Sequence, residues 1–131
     1  MKIMVNGTFD ILHRGHLELL QYAKSIGTYL MVAIDTDRRV QELKGSTRPI
    51  NNEKDRAFML KSLKAVDYCW TFDSDDELRE IIKTYSPDIM VKGSDWQGKE
   101  IIGGEYCKEI RFFERIDDYS TTNTIQDIIN R

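Results

Sequence analysis

Short apolar runs alternate with amphipathic stretches along the chain, and the alternation predicts the elements. Lys2 to Asn6 reads as a strand. Residues 14–26 carry Leu17, Leu20, Tyr22, Ala23 and Ile26 at helical spacing, and Gly27 is a natural stop signal. Tyr29 to Ile34 is continuously apolar, as expected of a strand buried on both faces. Asp35 to Asn52 has no clear period and reads as a long loop with a short helical piece. Asn52 can cap a helix over 53–64, with Ala57, Met59, Leu60 and Leu63 as its apolar stripe. Val66 to Phe72 is a third strand. Ser74 or Asp75 starts a helix over 76–84 that turns Leu78, Ile81 and Ile82 inward. Pro87-Asp88 leads into a fourth strand over 89–91, and residues 94–106 read as a loop or broken helix. Glu109 to Phe113 is a fifth strand. Ser120 caps a last helix with Ile125, Ile128 and Ile129 on one face.

Strands alternating with helices imply α/β architecture: a single Rossmann-like, doubly wound, parallel five-stranded sheet, with residues 1–131 as one domain. Such sheets bind ligands beyond the carboxyl ends of their strands. The segments after strands one, two, four and five (7–16, 35–48, 92–96 and 115–122) all fall at that edge. No repeat or interdomain linker interrupts the pattern.

Composition narrows the function. A hydrophobic fraction of 40% and a charged fraction of 31% are ordinary for a water-soluble domain. The net charge of −3 gives no footprint for non-specific nucleic-acid binding. The start is too short for a signal peptide, and no apolar run approaches the ~18 residues of a membrane span. A cytoplasmic protein with reduced thiols is expected, without membrane insertion. Cys69 and Cys107 lack metal-ligand spacing and read as small buried hydrophobes.

The chemistry concentrates in Gly7-Thr8-Phe9-Asp10-Ile11-Leu12-His13-Arg14-Gly15-His16. Both histidines of the chain lie here, three apart at a helix start, where they face the same way. The positive end of the helix favours an anion such as phosphate. Gly7 and Gly15 let the backbone approach a ligand closely. With no third histidine and no cysteine nearby, a zinc site is not indicated. Lys44 lies in Lys44-Gly45-Ser46-Thr47-Arg48-Pro49, a loop that can close over phosphates or simply be solvated. Lys92-Gly93-Ser94-Asp95-Trp96 follows strand four. There Gly93 can admit a base or ribose, while Asp95 either caps a turn or holds a hydroxyl, and Trp96 is either core or site. Ser120-Thr121-Thr122 opens the last helix as an ordinary N-cap or as a phosphate site, with Arg115 just upstream. The acidic run from Asp73 to Glu77 reads as a solvated helix start.

Taken together, these motifs resemble the cytidylyltransferase-like nucleotidyltransferases of the HxGH superfamily. The resemblance rests on Gly7 to His16, Lys44-Gly45, Lys92-Gly93-Ser94-Asp95 and Ser120-Thr121-Thr122, in order and across essentially the whole chain. HxGH alone is shared with class I aminoacyl-tRNA synthetases, which need hundreds more residues. Within the family, Leu43-Lys44-Gly45, Arg48-Pro49-Ile50-Asn51, Ala65-Val66-Asp67, Pro87-Asp88, Val91-Lys92-Gly93 and Thr121-Thr122-Asn123 look like the heptose 1-phosphate adenylyltransferase domain of lipopolysaccharide synthesis. Gly7-Thr8-Phe9-Asp10, Asp95-Trp96 with Gly98-Lys99, and Arg115 look like the glycerol-3-phosphate cytidylyltransferases. Lys64-Ala65 and Asp118-Tyr119 depart from that second group, so the balance favours the heptose type. The kinase domain often fused to that enzyme is absent, which would make this a stand-alone transferase.

The resemblance implies transfer of a nucleoside monophosphate from ATP or CTP to a sugar- or polyol-phosphate, with release of pyrophosphate. By resemblance, His13 and His16 stabilise the α-phosphoryl oxygens and Lys44 reaches the phosphates. Gly7, Thr8, Phe9, Gly15, Lys92, Gly93 and Asp95 bind nucleotide. Asp10 orients a histidine or metal-bound phosphates. Arg115, Ser120, Thr121 and Thr122 hold the β- and γ-phosphates. Mg2+ arrives with the triphosphate, and a homodimer is expected. Two alternatives stay open: a non-catalytic nucleotide-binding module, and an adenylyltransferase acting on phosphopantetheine or nicotinamide mononucleotide. Against the second, Asn123 and Gln126 differ from those relatives' last-helix signature.

Overall fold

The computed structural model describes residues 1–114 together with 125, 126, 128 and 129. Five strands form one all-parallel sheet: β1 (Lys2–Gly7), β2 (Tyr29–Asp35), β3 (Tyr68–Phe72), β4 (Ile89–Gly93) and β5 (Glu109–Phe113), in the order β3-β2-β1-β4-β5. Four helices connect them: α1 (Arg14–Ser25), α2 (Asp37–Lys44), α3 (Glu53–Lys61) and α4 (Asp75–Tyr85). The chain winds outward from β1 through β2 to β3. It then crosses to the other side of β1 for β4 and β5. This is the doubly wound, Rossmann-like arrangement, and its switch point lies between β1 and β4.

Strand alternation sorts the core onto the two faces of the sheet. Ile3, Val5, Leu30, Val32, Ile34, Cys69, Ile89 and Val91 pack with Leu20, Ala23 and Leu60 from α1 and α3. Met4, Met31, Ala33, Phe72 and Met90 pack on the other face with Leu78 and Ile82 from α4. Local chemistry sets the helix ends. Asn52 accepts from the Asp55 N–H and Ser74 from the Glu77 N–H, so each caps its helix.

Several boundaries differ from the sequence-based reading. Helix α3 stops at Lys61, and Tyr68 rather than Val66 begins β3, because residues 62–67 form tight turns. The Asp67 carboxylate accepts the Leu30 N–H there, and its own N–H donates to the Leu30 carbonyl. The α3 stripe is also shifted: Met59 is exposed and Arg56 is buried. Gly27 does not act through a left-handed backbone. A Cβ there would lie 2.4 Å from Ile3 Cγ1 and 2.8 Å from the Met1 carbonyl oxygen. The acidic helix start is paired rather than simply solvated, since Arg38 bonds Asp73 and Arg39 bonds Asp75. Cys107 is only half-buried, and Ile128 and Ile129 are exposed. Among the described residues no helix is long and apolar enough to cross a membrane.

Candidate active site

The histidine turn begins where β1 ends. Phe9 has φ +51°, a strained backbone for a bulky L-residue. Its ring is buried and tilted against the His16 ring, with centroids 5.1 Å apart. A Cβ at Gly7 would lie 3.1 Å from Phe9 Cε2, so the glycine lets that ring fold back over the turn. His13 then caps α1 in a reciprocal arrangement. The Gly15 N–H donates to His13 Nδ1 at 3.1 Å, and the His13 N–H donates to His16 Nδ1 at 3.3 Å. The two rings stack with centroids 3.8 Å apart. Because each Nδ1 is an acceptor, each neutral ring carries its hydrogen on Nε2. The helix start therefore fixes two parallel imidazoles as Nε2–H donors.

These rings line a cavity of about 430 Å³ at the carboxyl edge of the sheet, beside the switch point. Gly7, Thr8, Phe9, His13, Gly15, His16, Lys44, Lys92, Gly93 and Asp95 all line it. The loops after β1, β2 and β4 thus meet there. Arg115, Ser120, Thr121 and Thr122 lie outside the described residues.

Lys44, the last residue of α2, donates to Thr8 Oγ1 at 3.5 Å. Burial lowers its ammonium pKa from the ordinary lysine value, and the nearby Arg48 charge adds to the effect. Lys92 is more deeply placed. Its ammonium lies 4.4 Å from the centre of the Trp96 ring, and burial pushes its pKa down to about 8. Trp96 is therefore neither core nor free surface: it covers a buried cation at the cavity rim. A Cβ at Gly93 would lie 2.7 Å from Asp95 Oδ1, so glycine there lets the Asp95 carboxylate fold back beside the strand end.

The sequence reading missed four residues of this region. Asp35 closes β2, is buried, and lines the cavity. It accepts from Arg39 Nε at 3.0 Å and from Thr8 Oγ1 at 3.5 Å. Arg39, also in the lining, lies one helical turn along. Their place directly after an apolar strand was the available signal. Asn51 and the fully buried Arg56 act from behind the cavity wall.

Asp10 ties the histidine turn to the loop beyond Lys44. Its buried carboxylate does not line the cavity. It accepts the Ile50 and Asn51 N–H groups, each at 2.8 Å, and Arg48 Nε lies 3.5 Å away. Asn51 Nδ2 returns a bond to the Asp10 carbonyl at 2.8 Å. Asp10 is thus an anchor for the 48–51 loop.

The thiols and carboxylates limit the chemistry available. Burial pushes Cys69 and Cys107 up to about 11, which keeps both as thiols at neutral pH. Among the described residues no group of three or more His, Cys, Asp or Glu side chains is placed to hold a metal ion.

Comparison with known proteins places this geometry in a family. The cytidylyltransferase-like family model matches residues 4–126. The bifunctional protein HldE of Campylobacter fetus subsp. fetus is 48% identical over 126 residues, which cover 96% of this chain and 27% of that protein. Bifunctional protein HldE of Helicobacter pylori strain Shi470 is likewise 48% identical, with the same coverage of 96% and 27%. The chain thus spans about a quarter of the length of these relatives. The lipopolysaccharide core biosynthesis protein from Thermoplasma volcanium GSS1 matches in structure with a TM-score of 0.72 and 25% identity, covering 88% of this chain and 98% of that one. The family match runs from β1 past β5 and takes in the whole described cavity, so the chain belongs to the cytidylyltransferase-like family of nucleotidyltransferases.

Proposed function

We propose that this chain transfers an adenylyl group from ATP to a heptose 1-phosphate or closely related sugar 1-phosphate, releasing pyrophosphate. The observation that carries the reading is the convergence of His13, His16, Lys44 and Lys92 on one cavity at the carboxyl edge of a parallel sheet. The choice of acceptor is supported by the heptose-type motifs around Leu43 to Asn51 and Val91 to Gly93, and by the similarity to HldE.

In this mechanism an oxygen of the acceptor phosphate attacks the α-phosphorus in line. The new P–O bond forms as the bond from the α-phosphorus to the bridging oxygen breaks. Pyrophosphate departs with that electron pair. No enzyme nucleophile is required; the protein positions the groups and stabilises charge. His13 and His16 donate through Nε2–H to the α-phosphoryl oxygens. The Lys44 ammonium meets the charge from the α2 side, and Lys92 meets it from the β4 side. Arg115, Ser120, Thr121 and Thr122 are proposed for the β- and γ-phosphates.

Mg2+ is proposed to enter on the triphosphate, where it neutralises phosphate charge. The donor set fits an ion held mainly by phosphate oxygens and water. No acidic cage exists among the described residues, and Asp35, a buried carboxylate of the cavity, is engaged by Arg39 and Thr8. A homodimer is proposed from the family resemblance.

The test is His16→Ala. Loss of one such donor costs about 10²–10³ in turnover. The variant gives up the cap bond to the His13 N–H, so its melting temperature should fall modestly while it stays folded at the assay temperature, and it should lose at least that much kcat in pyrophosphate release. Turnover like that of the wild type would remove the mechanism.

A further inference from the structure

One guanidinium ties together the segments that build the reactive side of the cavity. Arg56, on α3, is fully buried and lines no part of the cavity. Its Nε donates to the Asn51 carbonyl at 3.0 Å, its Nη1 to the Thr8 carbonyl at 3.0 Å, and its Nη2 to Asp37 Oδ1 at 2.8 Å. Each bond reaches a different segment. Thr8 opens the turn that carries His13 and His16. Asp37 opens α2, whose last residue is Lys44. Asn51 closes the loop that returns from Lys44.

The turn after Lys44 ties back onto α2 itself: the Gly45 N–H donates to the Gln41 carbonyl, and the Arg48 N–H donates to the Gly45 carbonyl. Gly45 follows directly with φ +99° and nothing within 4 Å of where a Cβ would stand. The position of Lys44 is therefore set from the start of α2. Arg56 holds that start through Asp37, Glu53 accepts the Asp37 N–H at 3.0 Å, and Arg38 and Arg39 fasten the same turn to Asp73, Asp75 and Asp35 on its other side. Asp10 ties the turn to the 48–51 loop separately. An apolar side chain would fill the volume around residue 56 without the desolvation cost of a guanidinium. What arginine adds is a rigid planar fork whose donors leave at fixed angles.

We propose that Arg56 is a positioning residue for the transfer step, setting Lys44 against the His13–His16 turn through Thr8, Asn51 and Asp37. The inference rests on the nucleotidyl-transfer reading above. Its rival is a purely structural role, in which Arg56 fills space and satisfies buried carbonyls.

A double-mutant cycle separates the two. Pyrophosphate release is measured for the wild type, Arg56→Lys, Lys44→Ala and the double variant. Lysine keeps the charge but cannot hold three acceptors in one plane. A displacement of about 1 Å can cost 10²-fold, so kcat of Arg56→Lys should fall by about that factor, with the ATP KM moving less than about threefold. In the Lys44→Ala background the same substitution should cost at most about tenfold, because the path through Lys44 is gone and only the Thr8 tie to the histidine turn remains. An equal fall in both backgrounds overturns the proposal. If Arg56→Lys does not fold, Asp37→Ala removes one tie, acceptor and charge together, from a half-exposed position. It should show the same non-additivity with Lys44→Ala, starting from a fall of roughly tenfold. Additivity there overturns the proposal equally. A wild type that releases no pyrophosphate with any nucleotide and acceptor overturns the functional reading and this inference with it. An active wild type with an additive cycle overturns the inference alone.

Discussion

At the scale of single residues, the site depends on charges held where water is scarce. Lys92 is the sharpest case. Its ammonium titrates near 8 in the folded chain because burial penalises the charged form. In the unfolded chain a lysine keeps its proton to about 10.4. Between those values the unfolded state binds more protons, so this residue's contribution to stability rises with pH across that window. Below pH 8 the cost of burying the charge is fully present, on the order of 3 kcal/mol. Lys92→Met should therefore raise stability in urea unfolding at pH 7 by about 1–3 kcal/mol. The gain should shrink toward pH 10, and activity should fall. A variant less stable than wild type at pH 7 would show that the ammonium stabilises the fold. The histidines follow another logic: their Nδ1 atoms are committed to backbone donors, which leaves Nε2–H as the working edge. The spacing of His13 and His16 was legible in the sequence. The fate of Asp10 was not. It lies within the same motif, yet its carboxylate turns toward residues about forty positions away.

At the scale of elements, periodicity located the strands and helices because each buries a regular apolar set. The failures fall where tertiary contacts override the local pattern. In α3 the positions 56 and 60 are spaced to face inward together, but a charged residue reads as solvent-facing. Arg56 is buried only because Asn51, Thr8 and Asp37 converge from three other segments, and no local rule foretells that. Gly27 was legible as a helix stop but not as a contact. Its hydrogen faces Ile3 and the Met1 carbonyl. Gly27→Ala should lower stability by about 1–3 kcal/mol, as overpacking does, read as a fall in thermal midpoint. An unchanged midpoint would mean that the residue only ends the helix. Pairing of α2 with the approach to and first residue of α4, through Arg38 with Asp73 and Arg39 with Asp75, was also invisible in sequence, since an acidic helix start is favourable without partners.

At the scale of the whole molecule, the order β3-β2-β1-β4-β5 creates a single switch point, and the cavity stands beside it. The alternation of elements was enough to place the loops after β1, β2 and β4 at one edge. The closure of that edge by Asp35 and Arg39 needed the three-dimensional structure. The substrates are decided by what crosses the cavity, so the measurement belongs to the intact chain. Pyrophosphate release should be followed with ATP and CTP, each crossed with heptose 1-phosphate and glycerol 3-phosphate in the presence of Mg2+. Release with ATP and heptose 1-phosphate, and a much slower rate with the other pairs, is the expected result. Release with CTP and glycerol 3-phosphate alone would contradict the proposed substrates, and no release with any pair would contradict the proposed transfer itself.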